Sequence, residues 1–162
     1  MHRSGPNPGH TILVFKHRGR AEEAVRALLG AGVGIERISV FVRAPSDPNP
    51  SQEELDSAVD SGGAIGAGLG AIAGLGLFAV PGLGPVIGAG TIASALATAI
   101  LGSCFGGFAG ALASAGLSER SAALAERHLR EGKTVVLVRN AGDRQKLSMI
   151  ARSQGSVQVA AV

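Results

Sequence analysis

The chain has no tryptophan, no tyrosine and only five phenylalanines in 162 residues. A protein that stacks bases on aromatic platforms is therefore disfavoured, and no nucleic-acid partner is expected. Cysteine is nearly absent too. Cys104 alone excludes an internal disulfide framework and any multi-cysteine metal site. Charge is missing over one long stretch, because Ser61 to Ser118, 58 residues, contains no Asp, Glu, Lys or Arg. Basic residues are absent from Ala44 to Asp60, which carries five acids, Asp47, Glu53, Glu54, Asp56 and Asp60. No secretory signal is expected: Met1 to Gly9 is polar with two prolines, and no apolar segment begins before Thr11.

What is abundant is small and apolar. Glycine supplies 25 residues and hydrophobic side chains 46% of the chain. The glycines lack the every-third-residue spacing of collagen. Sixteen of them lie between Gly62 and Gly116, so the excess belongs to the charge-free insert. Outside it, segments 1–43 and 118–162 carry 15 basic and 7 acidic residues. The chain reads as a basic module interrupted by an acidic linker and a neutral apolar insert.

The expected organisation is a disordered N-terminus over 1–9, a βαβ half over 10–43, an acidic linker and helix over 44–60, an apolar hairpin over 61–117, and a connecting helix with a second βαβ half over 118–162. Ile12-Leu-Val-Phe15 is a continuous apolar run, the mark of a strand covered on at least one face. Ala21, Val25, Leu28 and Leu29 follow at helical spacing, with Glu22 and Glu23 placed in the first turn and Gly30 and Gly32 as the stop. Ile38-Ser-Val-Phe-Val42 is the next strand, with Ile38, Val40 and Val42 on one face. The C-terminal segment repeats the plan: a strand over 133–139, a helix over 144–154 and a strand over 157–162. An offset of 123 residues aligns Thr11 with Thr134, Lys16 with Arg139, Gly19 with Gly142 and Gly32 with Gly155. Two such halves predict an α+β fold, a ferredoxin-like four-stranded antiparallel sheet with two helices on one face.

In the insert, Ser51-Gln-Glu-Glu54 is a capping-box pattern and Pro81-Gly-Leu-Gly-Pro85 a strong breaker. Small residues recur every fourth position on both sides of that break: Gly62, Gly66, Gly70 and Gly74 before it, and Gly90, Ser94, Thr98, Gly102, Gly106, Gly110 and Ser114 after it. Such a stripe lets helix backbones approach closely, as in helix association within lipid. The pattern predicts a glycine-zipper helical hairpin that self-associates and inserts into or lies against a membrane. Gly62 to Val80 is 19 residues, about 28 Å of helix against a hydrocarbon core of roughly 30 Å. The basic outer segments then place both termini on the cytoplasmic side. The alternative is a soluble homo-oligomer or shell with the hairpins buried in its core.

Chemistry is sparse. Gly66-Ala-Gly68-Leu-Gly-Ala71 fits G-x-G-x-x-A loosely, without a preceding strand or a later acidic residue, so no dinucleotide is expected. His2, His10, His17 and His128 lack metal-ligand spacing, and each reads as a lone surface or core histidine. No acid–base or nucleophile constellation occurs. The expectation is a non-enzyme with no cofactor, metal or small-molecule substrate. Lys16, Arg18 and Arg20, at the start of the first helix, are candidates for contact with an anion or lipid headgroup, an alternative reading as an anion-binding regulatory module.

The order of these segments resembles the bacterial general-stress-protein-like family, related to heat-induced stress proteins of Gram-positive bacteria. The resemblance rests on Ile12–Phe15, the helix from Arg20 to Leu29, Ile38–Val42, the Gly/Ala-rich insert broken at Pro81–Pro85, the helix from Leu117 onward and Thr134–Val138. It implies a stress-linked protein without established enzymatic activity, and it brings no functional residues with it.

Overall fold

The computed structural model describes residues 9–43, 75–80, 83–102, 107–139 and 144–161. The chain is α+β. In order, the elements are β1 (His10–Phe15), α1 (Arg18–Gly30), a 3-10 turn (Ile35–Arg37), β2 (Ile38–Arg43), β3 (Leu75–Val80), β4 (Gly84–Gly90), α2 (Thr91–Gly102), α3 (Gly107–Ser114), α4 (Glu119–Arg130), β5 (Thr134–Arg139), α5 (Arg144–Ser153) and β6 (Gln158–Ala161). The strands form one sheet in the order β3-β4-β2-β5-β1-β6. All neighbours are antiparallel. The four strands from the chain ends are contiguous in it, and β3 and β4 extend the sheet on the β2 side.

The helix α1 starts at Arg18, so Glu22 and Glu23 fall in its second turn rather than its first. Gly32 and Gly155, aligned at an offset of 123, do the same work. Gly32 follows α1 with φ +88° and Gly155 follows α5 with φ +79°. The closing hydrogen bonds repeat at the same offset, Val33 N–H to the Leu28 carbonyl at 3.0 Å and Ser156 N–H to the Ala151 carbonyl at 2.9 Å. Only a left-handed residue lets the chain fold back onto these carbonyls, which suits glycine. Two buried positions of α1, Ala24 and Leu28, correspond to Leu147 and Ala151 of α5, with the large and small residues interchanged.

Both faces of the sheet are covered. On one, Leu13, Phe15, Val136 and Val138 pack against Ala21, Ala24, Val25 and Leu28 of α1 and Leu147 and Ala151 of α5. On the other, Ile12, Val14, Phe41, Val135 and Leu137 pack against Ile92 and Leu96 of α2, Phe108 and Leu112 of α3 and Ala125 and Leu129 of α4. Burial on both sides is why β1 and β5 read as unbroken apolar runs rather than alternating ones. The four side chains of Ile12 to Phe15 are fully buried.

The apolar insert departs from the expected helical hairpin. Pro81–Pro85 is a break, but it joins two strands: Val80 pairs with Gly84 and Leu75 with Ala89. The part of the expected hairpin after the break is divided among β4, α2 and α3. Short runs punctuated by Gly and Pro cannot sustain a long helix, and the period-four spacing of small residues does not by itself distinguish helix from strand. Among the described residues no helix is long and apolar enough to cross a membrane.

Gly90 is the clearest correction within the predicted stripe. It ends β4 with φ +112°. A Cβ there would stand 2.4 Å from the Ile38 carbonyl oxygen and 2.7 Å from Ser39 Cα. Its lack of a side chain serves the approach of the strand-to-helix turn to β2, not helix packing. Gly62, Gly66, Gly70, Gly74 and Gly106 lie outside the described residues, as do residues 1–8 of the N-terminus expected to be disordered over 1–9 and the acidic linker over 44–60.

Candidate functional site

Polar contacts tie α2 to β2 and the turn before it, and α3 to α4. The Ser39 hydroxyl, buried on β2, accepts the Ile92 N–H at 3.1 Å and so caps α2. Thr91 Oγ1 donates to the Glu36 carbonyl at 3.0 Å. Glu126 of α4 accepts the Ala109 N–H at 2.8 Å and is paired with Arg130. Phe108 meets Phe41 edge to face, ring centres 5.2 Å apart at 78°.

With Phe108, Ala111 and Leu112 turned inward, the other side of α3 faces out. Ala109, Gly110, Ala113 and Ser114, with Glu119 at the start of α4, line an open groove of about 400 Å³. Two residues of the predicted stripe, Gly110 and Ser114, thus share one outward face. Ser114 Oγ donates to the Gly110 carbonyl at 3.0 Å. In α2, exposed Ser94 makes the equivalent bond to the Gly90 carbonyl at 3.2 Å. Each hydroxyl thus gives its donor to a carbonyl of its own turn. Thr98 and Gly102 lie in the second half of α2.

The basic trio is arranged differently from an open anion site. Arg18 and Arg20 occupy the first turn of α1, but Arg18 Nε lies 3.3 Å from Glu22 Oε1 and Arg20 Nη1 lies 3.0 Å from Glu23 Oε2. Lys16 is exposed just before the helix, and His17 at the N-cap makes no side-chain capping bond. An arriving anion would compete with two carboxylates of the same helix.

A second polar group closes α4. Glu131 accepts from Lys133 Nζ at 2.6 Å and Arg127 Nε at 3.2 Å, and its Oε2 lies 3.2 Å from His128 Nδ1. The bond from Lys133, then that from His128, hold its carboxyl down to about 2 from an ordinary 4.5. Gly132, with φ +75°, lets Lys133 N–H return to the His128 carbonyl at 3.0 Å and start β5. These contacts close the helix. Among the described residues no cluster of three or more His, Cys, Asp or Glu could hold a metal ion.

Sequence reasoning missed Ser39 and Glu126. Ser39 alternates with Ile38 and Val40 and so reads as solvent-facing, while Glu126 reads as one more charge on an amphipathic helix. No family model, curated protein or solved structure matches the chain.

Proposed function

We propose that this is a non-enzymatic, stress-linked protein that self-associates through the small-residue outer face of α3. The stress link rests on the resemblance to general-stress proteins. The reading of the framework as a ferredoxin-like module is supported by β5 lying between β1 and β2, antiparallel to both, and by β6 flanking β1. The repeated closures of α1 and α5 support duplication.

One observation carries the association: Gly110 and Ser114 lie together in a groove that Ala109, Ala113 and Glu119 also line. A helix seated there could approach the α3 backbone closely, and the Ser114 O–H donor, already given to the Gly110 carbonyl, would not be left unpaired. The occupant proposed is the same face of a second copy. Apart from Glu119 at its edge, the face carries only small side chains, which also suits lipid, and that reading places the protein on the membrane with its basic segments on the cytoplasmic side.

Sedimentation equilibrium of the full chain and of Gly110→Leu tests the proposal. The wild type should sediment as an oligomer and the variant at a smaller mass with unchanged circular dichroism. Equal masses for the two would sink it. Carbonate washing of cell membranes separates the two settings: retention in the pellet favours lipid, and release as a defined oligomer favours the soluble assembly.

A further inference from the structure

His10 opens β1 on the sheet face covered by α3 and α4, and it is buried, 4% exposed. Its Nε2 has no hydrogen-bond partner and no contact with solvent. Across the ladder its neighbour is Arg139. Above it lies the α3–α4 turn, where a Cβ on Gly116 would stand 3.7 Å from His10 Cε1. We infer that His10 is an acid-sensitive latch, whose protonation between β5 and the α3–α4 turn releases that turn from the sheet.

The surroundings favour only the neutral ring. An imidazolium has two N–H donors and needs an acceptor for each. From β5 the charged group facing it is Arg139, a cation. The described residues of α3 (Gly107–Ser114) and β6 (Gln158–Ala161) carry no ionisable side chain. On α4, Glu119 and Arg120 beside the turn are exposed. No carboxylate among the described residues is hydrogen-bonded to or ion-paired with His10. Burial, then Arg139, holds its pKa below the ordinary 6.5.

The direction follows. A ring that is harder to protonate when closed than when open stabilises the closed form fully above about pH 6.5. That contribution is lost as the pH falls below this value towards the lower pKa of the closed state. The turn is the part that yields, because β1 is held on both sides, by β5 and by β6. The turn is held by Leu117, which is buried, and by short local bonds such as Leu117 N–H to the Leu112 carbonyl at 3.1 Å. Opening there admits water to the imidazolium without breaking the ladder.

Hydrogen exchange of the full chain, corrected for intrinsic rates, at about pH 7.5 and about pH 5 reads the latch across the range in which histidine titrates. Peptides covering residues 111–119 should exchange at least several-fold faster at the lower pH, while β1 and β5 stay protected. In His10→Leu that acceleration should vanish. Arg139→Gln, at an exposed position, should raise the His10 pKa read by NMR and bring the opening on at higher pH. An acceleration that survives in His10→Leu, or none in the wild type, overturns the inference. Should His10→Leu fail to fold, an opening midpoint unmoved by Arg139→Gln overturns it equally.

Discussion

Glu126 in α4 accepts a hydrogen bond from the Ala109 backbone N–H in α3, at 2.8 Å across the hairpin between the two helices. The helix α3 has eight residues, too few to be stable alone, and its first turn has unpaired N–H groups. A carboxylate supplied by the neighbouring helix satisfies one of them and complements the positive end of the helix dipole. Glu126→Ala should lower unfolding stability by about 1–2 kcal/mol. Glu126→Gln, which keeps the acceptor and loses the charge, should recover more than half of that. Urea denaturation of the three proteins measures both values. Equal losses for the two variants would show that the charge, not the cap, matters.

Ser39 does for α2 what Glu126 does for α3, from the sheet rather than from a helix. Its hydroxyl is buried and receives the Ile92 N–H at 3.1 Å. Ser39→Ala leaves that donor enclosed with no acceptor, and a loss of about 1–3 kcal/mol is expected in the same denaturation assay. Ser39→Val, which suits a strand better, should be no less damaging, because burial and capping outweigh local propensity here.

These two caps show where the sequence is readable and where it is not. The strands β1, β2 and β5 and the helices α1 and α5 follow from local signals: apolar runs, helical spacing and glycine stops repeated at one offset. The covering of the second sheet face does not. Leu75 to Gly90 has small residues at intervals that fit either period, and the pairing of β4 with β2 settles it as strand. Gly90 belongs to the predicted stripe by spacing, yet its role comes from the backbone of Ile38, fifty-two positions earlier in sequence. Of the proposed association face, Gly110 and Ser114 were legible as a stripe, but which side of α3 would be buried depends on Phe108 meeting Phe41. Long-range contacts of this kind leave no mark within a local window.

The glycines separate two kinds of requirement. At Gly32 and Gly155 a Cβ would meet nothing within 4 Å, so alanine there bears only the cost of left-handed backbone, roughly 1–2 kcal/mol. If the two halves are equivalent, Gly32→Ala and Gly155→Ala should lose equal stability within about 0.5 kcal/mol. Gly90→Ala adds a collision with the backbone of β2 to the same strain. A loss of about 2–5 kcal/mol is expected, the sum of strain and overpacking. Thermal denaturation of the three variants side by side gives the ranking, and a Gly90→Ala no worse than the other two would contradict the close approach to Ile38.

Glu131 sets the acid limit of the α4–β5 junction. Hydrogen bonds from Lys133, then His128, hold its folded pKa at about 2, below an ordinary 4.5. A carboxylate depressed in this way contributes stability that is fully present above about 4.5. As the acid form takes over, the contribution falls away through that value and is gone below about 2. Glu131→Gln removes the charge at every pH, so it should cost stability near neutrality and flatten the decline between about pH 5 and pH 2. His10 also loses its contribution as the pH falls, since burial and then Arg139 hold its pKa below the ordinary 6.5. The variants tell the two groups apart in one experiment, with stability measured from pH 8 down to pH 2. Glu131→Gln should remove part of the decline below about 4.5 and His10→Leu part of the decline that begins below about 6.5. A decline below about 4.5 of unchanged size in Glu131→Gln would mean that the Lys133 and His128 contacts do not persist in solution.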